Sequence, residues 1–383
     1  MPPFLAATTR GILPAHLWAG TTAADIAAHP LNAQPIGTGP LMAGGDWRTN
    51  GQLTLIPNPH MGLDWPLAGV VYRFYPDETS LLAAFESGEV QMVNRLTAEA
   101  IPPAAVLGGM RLFTAPVPRY TQLLFNLGGD GLCGLQNLAV RQALAQGLDK
   151  QGLITAALNG QALPFEGPYL PSSAAYDPNV PAPIAYDPEL ADIALTNAGW
   201  AVGTSGRVGG EAGDIPFTLR LLVLDDPEQQ RLAAELSQQW GALGIGVDVR
   251  VADAVTLAAS LRDRAFDVAL VTITPAADPD LYDFWSQDGI VRGQNYAAWN
   301  NRRASEALEA ARQVWNQEDR LAYYRAFLQF YAEGLPALTL YQPVLSYGVH
   351  EVVEGVDIGR ITRPRDKYAT AAQWAFPAAD GCE

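Results

Sequence analysis

Val70-Val71-Tyr72-Arg73-Phe74-Tyr75-Pro76-Asp77-Glu78-Thr79-Ser80-Leu81-Leu82-Ala83-Ala84-Phe85-Glu86-Ser87-Gly88 reads as a strand, a capped helix and a stop. Residues 70–75 are β-branched and aromatic, as a pleated, half-buried surface requires. Asp77 stands where an N-cap carboxylate takes the backbone N–H groups of a first helical turn, and Gly88 where the chain must leave the helix. Strand, helix and turn in that order predict an α/β layer architecture. Upstream, Leu53-Thr54-Leu55-Ile56 reads as a strand closed by Pro57-Asn58-Pro59, and Gly37-Thr38-Gly39-Pro40 as a turn. Residues 1–36 read as irregular, helical by turns.

Downstream, Gln122–Phe125 reads as a strand before a Gly-rich loop at 128–134, and Asn137 caps a helix reaching Leu148. Asp187-Pro188-Glu189 combines an N-cap, a first-turn proline and an acid at the positive end of the helix dipole; that helix ends at Gly199. Gly203–Gly213 reads as a Gly-rich surface loop. Phe217–Val223 is a strand, and the helix Pro227–Leu243 puts Leu232, Leu236, Trp240 and Leu243 on one face before Gly244 stops it. Further strands are expected at Val247–Val251, Phe266–Val271 and Leu338–Tyr347, a short helix before Phe266, and helices over roughly 305–316 and 318–332. No repeat at solenoid spacing is present.

The chain has 383 residues, which suggests two domains or more. With 49% hydrophobic and 17% charged residues it can fill substantial cores. A net charge of -16 repels phosphate backbones and anionic lipid, so nucleic acid and membrane surfaces are poor partners. Lysine occurs only at Lys150 and Lys367, a bias we read as compositional. Cys133 and Cys382 have no second cysteine at CxxC spacing, which leaves one disulfide or two thiols open. No apolar run reaches the length of a membrane span, and Met1-Pro2-Pro3-Phe4-Leu5 does not read as a signal peptide.

Catalytic signatures are not found: the sequence holds no G-x-S-x-G elbow, Walker A loop or H-E-x-x-H. His16, His29, His60 and His350 are far apart in sequence and read as separate packing or surface residues. Gly37-Thr38-Gly39 is half a dinucleotide fingerprint, but Pro40 follows where a helix should open. Asp278-Pro279-Asp280-Leu281-Tyr282-Asp283 gathers three carboxylates. A metal or an acid–base pair is conceivable there, and a solvated turn opening a helix is the favoured reading. The segment follows an apolar strand at its carboxyl end, where open α/β sheets place ligands. Loop aromatics such as Tyr169, Tyr176, Tyr282, Trp285, Tyr296 and Trp299 can stack on a ligand or simply pack.

At several places the sequence resembles the peptide/nickel-binding family of ABC-transporter substrate-binding proteins, extracellular solute-binding family 5. The matching segments are Ile12-Leu13-Pro14-Ala15-His16, Pro35 to Pro40, Tyr72 to Thr79 with Ser87-Gly88-Glu89, and Val140-Arg141-Gln142-Ala143-Leu144. Asp187-Pro188-Glu189 with Ala198-Gly199-Trp200, Phe266 to Leu270, Asp278-Pro279-Asp280, Gly293-Gln294-Asn295-Tyr296, and Leu335-Pro336 with Leu340-Tyr341 follow in the family's order. The resemblance implies a two-lobed periplasmic-binding-protein type II fold that performs no chemistry, needs no cofactor and hands a solute to a membrane permease outside the cytoplasm.

Departures from the family pattern shape the expectations. The resemblance puts an earlier strand and an inserted lobe before the Ile12 segment, so this portion is expected to be missing here. The chain is then a truncated product, or completes its first lobe with a separate polypeptide or a second copy of itself. Where peptide binders of the family carry G-W-x-x-D-Y, with an Asp for the ligand's amino terminus, this chain reads Val271-Thr272-Ile273-Thr274-Pro275-Ala276-Ala277. A free peptide loses its charge-assisted partner there, which favours a neutral or anionic solute. We expect an irregular start at 1–36, a first lobe from 37–120 plus 346–376, a second from 121–345, and a tail at 377–383. Two crossings, near Tyr120–Phe125 and Tyr341–Ser346, would form a hinge. Candidate ligand-binding residues are Tyr120, Gln122, Asn126, Thr274, Asp278, Asn295, Tyr296 and Tyr341; catalytic and metal-binding residues are not expected. The alternative function is an interaction or scaffold subunit derived from the same fold.

Overall fold

Asp77 caps the helix Glu78–Glu86 in the computed structural model: its Oδ1 accepts the Ser80 N–H at 2.8 Å, and Gly88 turns the chain at φ 77°. The structure describes residues 14–32, 34–49, 51–62, 66–129, 131–210, 213, 215–276, 278–357, 366 and 368–377. The start of the chain to residue 13, Lys367, Cys382 and the tail beyond 377 lie outside them, and so does any bond between Cys133 and Cys382. The described residues fall into two units. One comprises Pro116–Val344; the other holds residues up to Ala115 together with those from Leu345 onward. The sequence-based boundaries were set at 120/121 and 345/346.

In the unit that holds residues up to Ala115, the strands Leu41–Thr49, Gln52–Pro57 and Val70–Arg73 form an antiparallel meander. The expected strand over 70–75 stops at Arg73 because its partner runs out: Arg73 pairs with Gln52, the first residue of that strand. Met92–Leu96 and Met110–Pro116 add two strands unforeseen in the sequence, both paired with the late strand Ala337–His350, Ser346 standing opposite Leu96. Leu82, Phe85, Val93, Leu96, Ala100 and Ala104 fill the core beneath.

The Pro116–Val344 unit is built on a mixed sheet. Its order runs Gly246–Ala252, Thr218–Leu224, Val268–Ile273, Tyr120–Phe125 and the early part of Ala337–His350, with the short strand Ala162–Pro164 beside the last. The first three strands are parallel; Tyr120–Phe125 is antiparallel to both its neighbours. Side chains alternate between faces. Leu123, Phe125, Leu219, Leu221, Val268 and Leu270 join one core. Against it pack the helices Leu138–Gln146, Lys150–Leu158 and Pro227–Ala242, and Leu232, Leu236 and Trp240 of the last are fully buried, as their spacing predicts. Leu124, Leu222, Ala269 and Val271 join a second core under Arg302–Gln313 and Gln317–Gly334.

The region expected as a Gly-rich loop after Gly199 is instead a small antiparallel meander of Ala201–Gly203, Gly206–Gly209 and Ile215–Pro216. Arg207 decides this. It is buried, donates to the carbonyls of Leu243 at 2.7 Å and Trp200 at 2.6 Å, and ion-pairs with Asp192. A guanidinium with so many fixed partners ties glycine-rich chain into a paired structure. The helix expected from Asn137 to Leu148 runs Leu138–Gln146, and a further helix not foreseen in the sequence follows at Lys150–Leu158, with Asp149 capping it through Gly152 N–H. Among the described residues no helix is long and apolar enough to cross a membrane.

Candidate functional site

Parallel pairing brings the carboxyl ends of three strands, at Leu224, Ala252 and Ile273, to one edge of the sheet. The antiparallel neighbour enters at that same edge: Tyr120 stands opposite Ile273 and Gln122 opposite Val271. This is where a sheet of this kind leaves a crevice. A cavity of about 290 Å³ opens there, on the face that carries the second core. Gln122, Leu124 and Leu270–Ile273 form its floor. Leu257 and Leu261 of the helix Ala254–Asp263, and Phe284, Trp285, Gln294, Tyr296 and Ala297 of the following loops, form its walls. Leu224 and Gln229 complete the lining. No Asp, Glu, Lys, Arg or His is among these residues.

Two buried polar atoms of this lining have no hydrogen-bond partner: Oε1 of Gln122 and Nε1 of Trp285. Gln122 is 1% exposed and Trp285 2% exposed. Trp285 is held by rings, edge-on to Tyr331 at 5.0 Å and to Trp299 at 6.2 Å. Gln229, by contrast, is committed, its Oε1 accepting the Leu224 N–H at 2.9 Å.

The eight residues singled out in the sequence divide by what they touch. Gln122 and Tyr296 line the cavity. Tyr120 is next along the same strand face, packed with Phe165 and Leu170 and against Ile273; burial pushes its hydroxyl pKa well up. Thr274 is exposed at the strand's end. Asn295 braces the loop that carries Tyr296: its Nδ2 donates to the carbonyls of Ser286 at 2.9 Å and Trp299 at 3.0 Å, and its Oδ1 accepts the Trp299 N–H at 3.1 Å. Asn126 lies at the other edge of the sheet, where its Nδ2 donates to the carbonyls of Phe266 at 2.9 Å and Arg264 at 3.1 Å. Tyr341 belongs to the first core, with its hydroxyl 3.3 Å from Glu228; burial, then the Glu228 charge, raises its pKa.

Asp278 meets Arg320 at 2.9 Å, while Asp280 and Asp283 share Arg312 at 2.7 and 3.2 Å. The three carboxylates are thus paired with two guanidiniums of the helices that cover the second core. Among the described residues no group of His, Cys, Asp and Glu is arranged to hold a metal. Sequence reasoning named Trp285 only among loop aromatics and passed over Gln229, Gln294, Leu257, Leu261 and Phe284. The signal for Gln294 was its place beside Asn295 and Tyr296; for the others none was present.

Comparison with known proteins bears on the family and the fold. Residues 2–292 match the family model described as bacterial extracellular solute-binding proteins, family 5 Middle. The oligopeptide-binding protein AppA of Bacillus subtilis is 24% identical over 369 residues, covering 95% of this chain and 66% of its own length. Protein XP55 of Streptomyces lividans is 27% identical over 335 residues, 84% of this chain and 58% of the relative. The chain thus spans less than two thirds of either relative. The crystal structure of the ABC-transporter substrate-binding protein CtaP of Listeria monocytogenes superposes with a TM-score of 0.79 at 18% identity, covering 95% of this chain and 71% of that one. The chain belongs to family 5 of the bacterial extracellular solute-binding proteins.

Proposed function

We propose that this chain is a solute-binding component of an ABC importer, that it works outside the cytoplasmic membrane, and that it delivers its solute to a permease without changing it. The observation that carries the binding site is the cavity at the carboxyl edge of the Pro116–Val344 sheet, apolar in most of its lining and with no charged residue in it. Apolar walls with a few convergent polar groups are the common design of small-molecule sites. Gln122 and Tyr296 contact the solute, Tyr120 and Thr274 flank it, and Asn295 holds the Tyr296 loop in place. Likeness to an oligopeptide-binding protein and to an ABC-transporter substrate-binding protein supports the transport role. The segment 271–277 carries no Asp for a peptide's amino terminus, so free peptides are weak ligands in this reading.

The test is to purify the protein from its own cells, denature it, and identify by mass spectrometry any small molecule released. A thermal-shift screen of solutes runs beside it. A stoichiometric solute, or one that raises the melting temperature in proportion to the logarithm of its concentration, supports the proposal. No released molecule and no shift across a broad library overturns it.

A further inference from the structure

Four apolar or aromatic side chains around the cavity at the carboxyl sheet edge are only half-buried: Leu257, Ile273, Phe284 and Tyr296. They come from the helix Ala254–Asp263, the end of the strand Val268–Ile273, the short helix Tyr282–Trp285 and the loop that carries Tyr296. Each packs against the second core and also borders the cavity. Single exposed apolar residues are ordinary, but four from separate segments around one concavity leave contact area that a solute can cover. The polar side chains of the lining give an ion little. Gln122 Oε1 and Trp285 Nε1 lie beneath the surface, out of a solute's reach. Thr272 shares a hydrogen bond with Thr121 at 3.0 Å, and Gln229 Oε1 accepts the Leu224 N–H. Gln294 is exposed and Tyr296 half-buried, and among the described residues neither side chain has a hydrogen-bond partner. An amide and a phenol can orient a neutral polar group, but they do not replace the hydration of a full charge.

We infer that this cavity is a side-group pocket: it receives one compact, uncharged apolar group of the solute, a branched aliphatic chain or a single ring, and rejects solutes whose group at that place is ionised. Leu257 and Phe284 set the preference, from two different elements. The volume of about 290 Å³ is at the small end of solute sites, which suits one such group rather than an extended chain. Gln294 and Tyr296 meet the neutral polar part beside it. This inference rests on the binding role proposed above and deepens it.

The experiment uses the full chain and one series of probes, the N-acetyl amides of glycine, alanine, valine, leucine, phenylalanine, lysine and glutamate. They share a neutral backbone and differ only in the side group. Calorimetry should show affinity rising from glycine to leucine by about fourfold for each added carbon that is buried. The leucine or phenylalanine probe should bind at least about tenfold tighter than the glycine, lysine and glutamate probes. Leu257→Glu places a carboxylate in the wall and should reverse the ranking: the leucine probe weakens about tenfold and the lysine probe binds tighter than it does to the parent. Phe284→Glu should do the same from another element, and a damaged fold would not gain lysine binding. If one variant fails to fold the other carries the reading, and if neither folds the parent's own ranking decides. A lysine or glutamate probe that binds the parent as tightly as the leucine probe, a folded variant that keeps the parental ranking, or no binding by any probe at millimolar concentration overturns the inference. Affinities that ignore the side group would sink the pocket's selectivity and leave the binding role standing. A native protein that takes up no solute at all would sink the role itself.

Discussion

Replacing Asp267 by alanine removes a side chain that ties the loop at Leu132 and the strand Thr218–Leu224 to the start of Val268–Ile273. Asp267 is 3% exposed and precedes the strand Val268–Ile273. Its Oδ1 accepts from Leu132 N–H at 2.9 Å and Arg220 Nη2 at 2.7 Å. Its Oδ2 accepts from Arg220 N–H at 2.8 Å and Arg220 Nε at 3.0 Å. Alanine leaves two backbone N–H groups without their acceptor, each costing about 1–3 kcal/mol when buried. Both sites are part-buried, which places each in the lower half of that range. The Arg220 side chain is 41% exposed, so its lost ion pair adds only about 0–1 kcal/mol after solvent screening. The sum is a destabilisation of about 2–5 kcal/mol. Asn at the same position keeps one oxygen but turns an N–H₂ toward donors, so Asp267→Asn should lose about 1–3 kcal/mol. Urea denaturation at neutral pH, compared at equal m-value, reads both numbers. If Asp267→Ala lies within about 1 kcal/mol of the parent, the carboxylate is not the tie described and the reasoning fails.

Other outcomes follow from single side chains. Lys150 and Glu166 form an ion pair only 11% and 21% exposed, and burial lowers the lysine pKa and raises that of the glutamate. Glu166→Gln, which strands the ammonium, should cost about 2–4 kcal/mol, while Lys150→Met with Glu166→Leu should stay within about 1–2 kcal/mol of the parent; a double-mutant cycle on thermal melts decides between them. Trp240 is fully buried and donates from Nε1 to the Leu144 carbonyl at 3.0 Å, so Trp240→Phe should lose about 1–3 kcal/mol in the same melts, and no loss would show the bond idle. Asp77 and Asp253 have pKa values held below the ordinary aspartate value, chiefly by backbone N–H bonds from Ser80 and Thr256. Their contribution is present above about pH 4 and is lost as pH falls through the lowered folded values; the stability difference between the parent and Asp77→Ala should therefore shrink in acid, and a difference that grows would refute the sign.

What the sequence disclosed was what local chemistry controls. Asp77, Asn137 and Asp187 each cap the helix they were assigned, through Ser80, Ala139 and Leu190 N–H groups. Leu232, Leu236 and Trp240 needed only helical period to reveal a buried face. The strands Met92–Leu96 and Met110–Pro116 were illegible because their partner, Ala337–His350, lies more than two hundred residues away, and Asn94 and Arg95 break the apolar pattern. The meander after Gly199 was illegible for a different reason. Glycine announces permissive backbone, and the partners that draw Arg207 inward, the carbonyls of Leu243 and Trp200 and the Asp192 carboxylate, are assembled only by folding.

The candidate site shows the same division in sharper form. Asn126 and Asn295 drew attention as polar residues beside apolar strands and turns, and each proves to be a small truss of hydrogen bonds from its carboxamide to its own surroundings. Asn295 spends both hydrogens of Nδ2 and its Oδ1 on Ser286 and Trp299. A carboxamide so occupied has little left for a solute, yet it fixes the loop from which Tyr296 reaches the cavity. Gln122 is no more conspicuous in the sequence than these asparagines, and it is as deeply buried. The difference is that its oxygen has nothing to bind. Which of several buried amides is a brace and which is left without a partner depends on the atoms around each, and those come from strands and loops far apart in the chain. Motif order identifies the family, whereas the partners of each buried amide are told apart only by what folding brings around it.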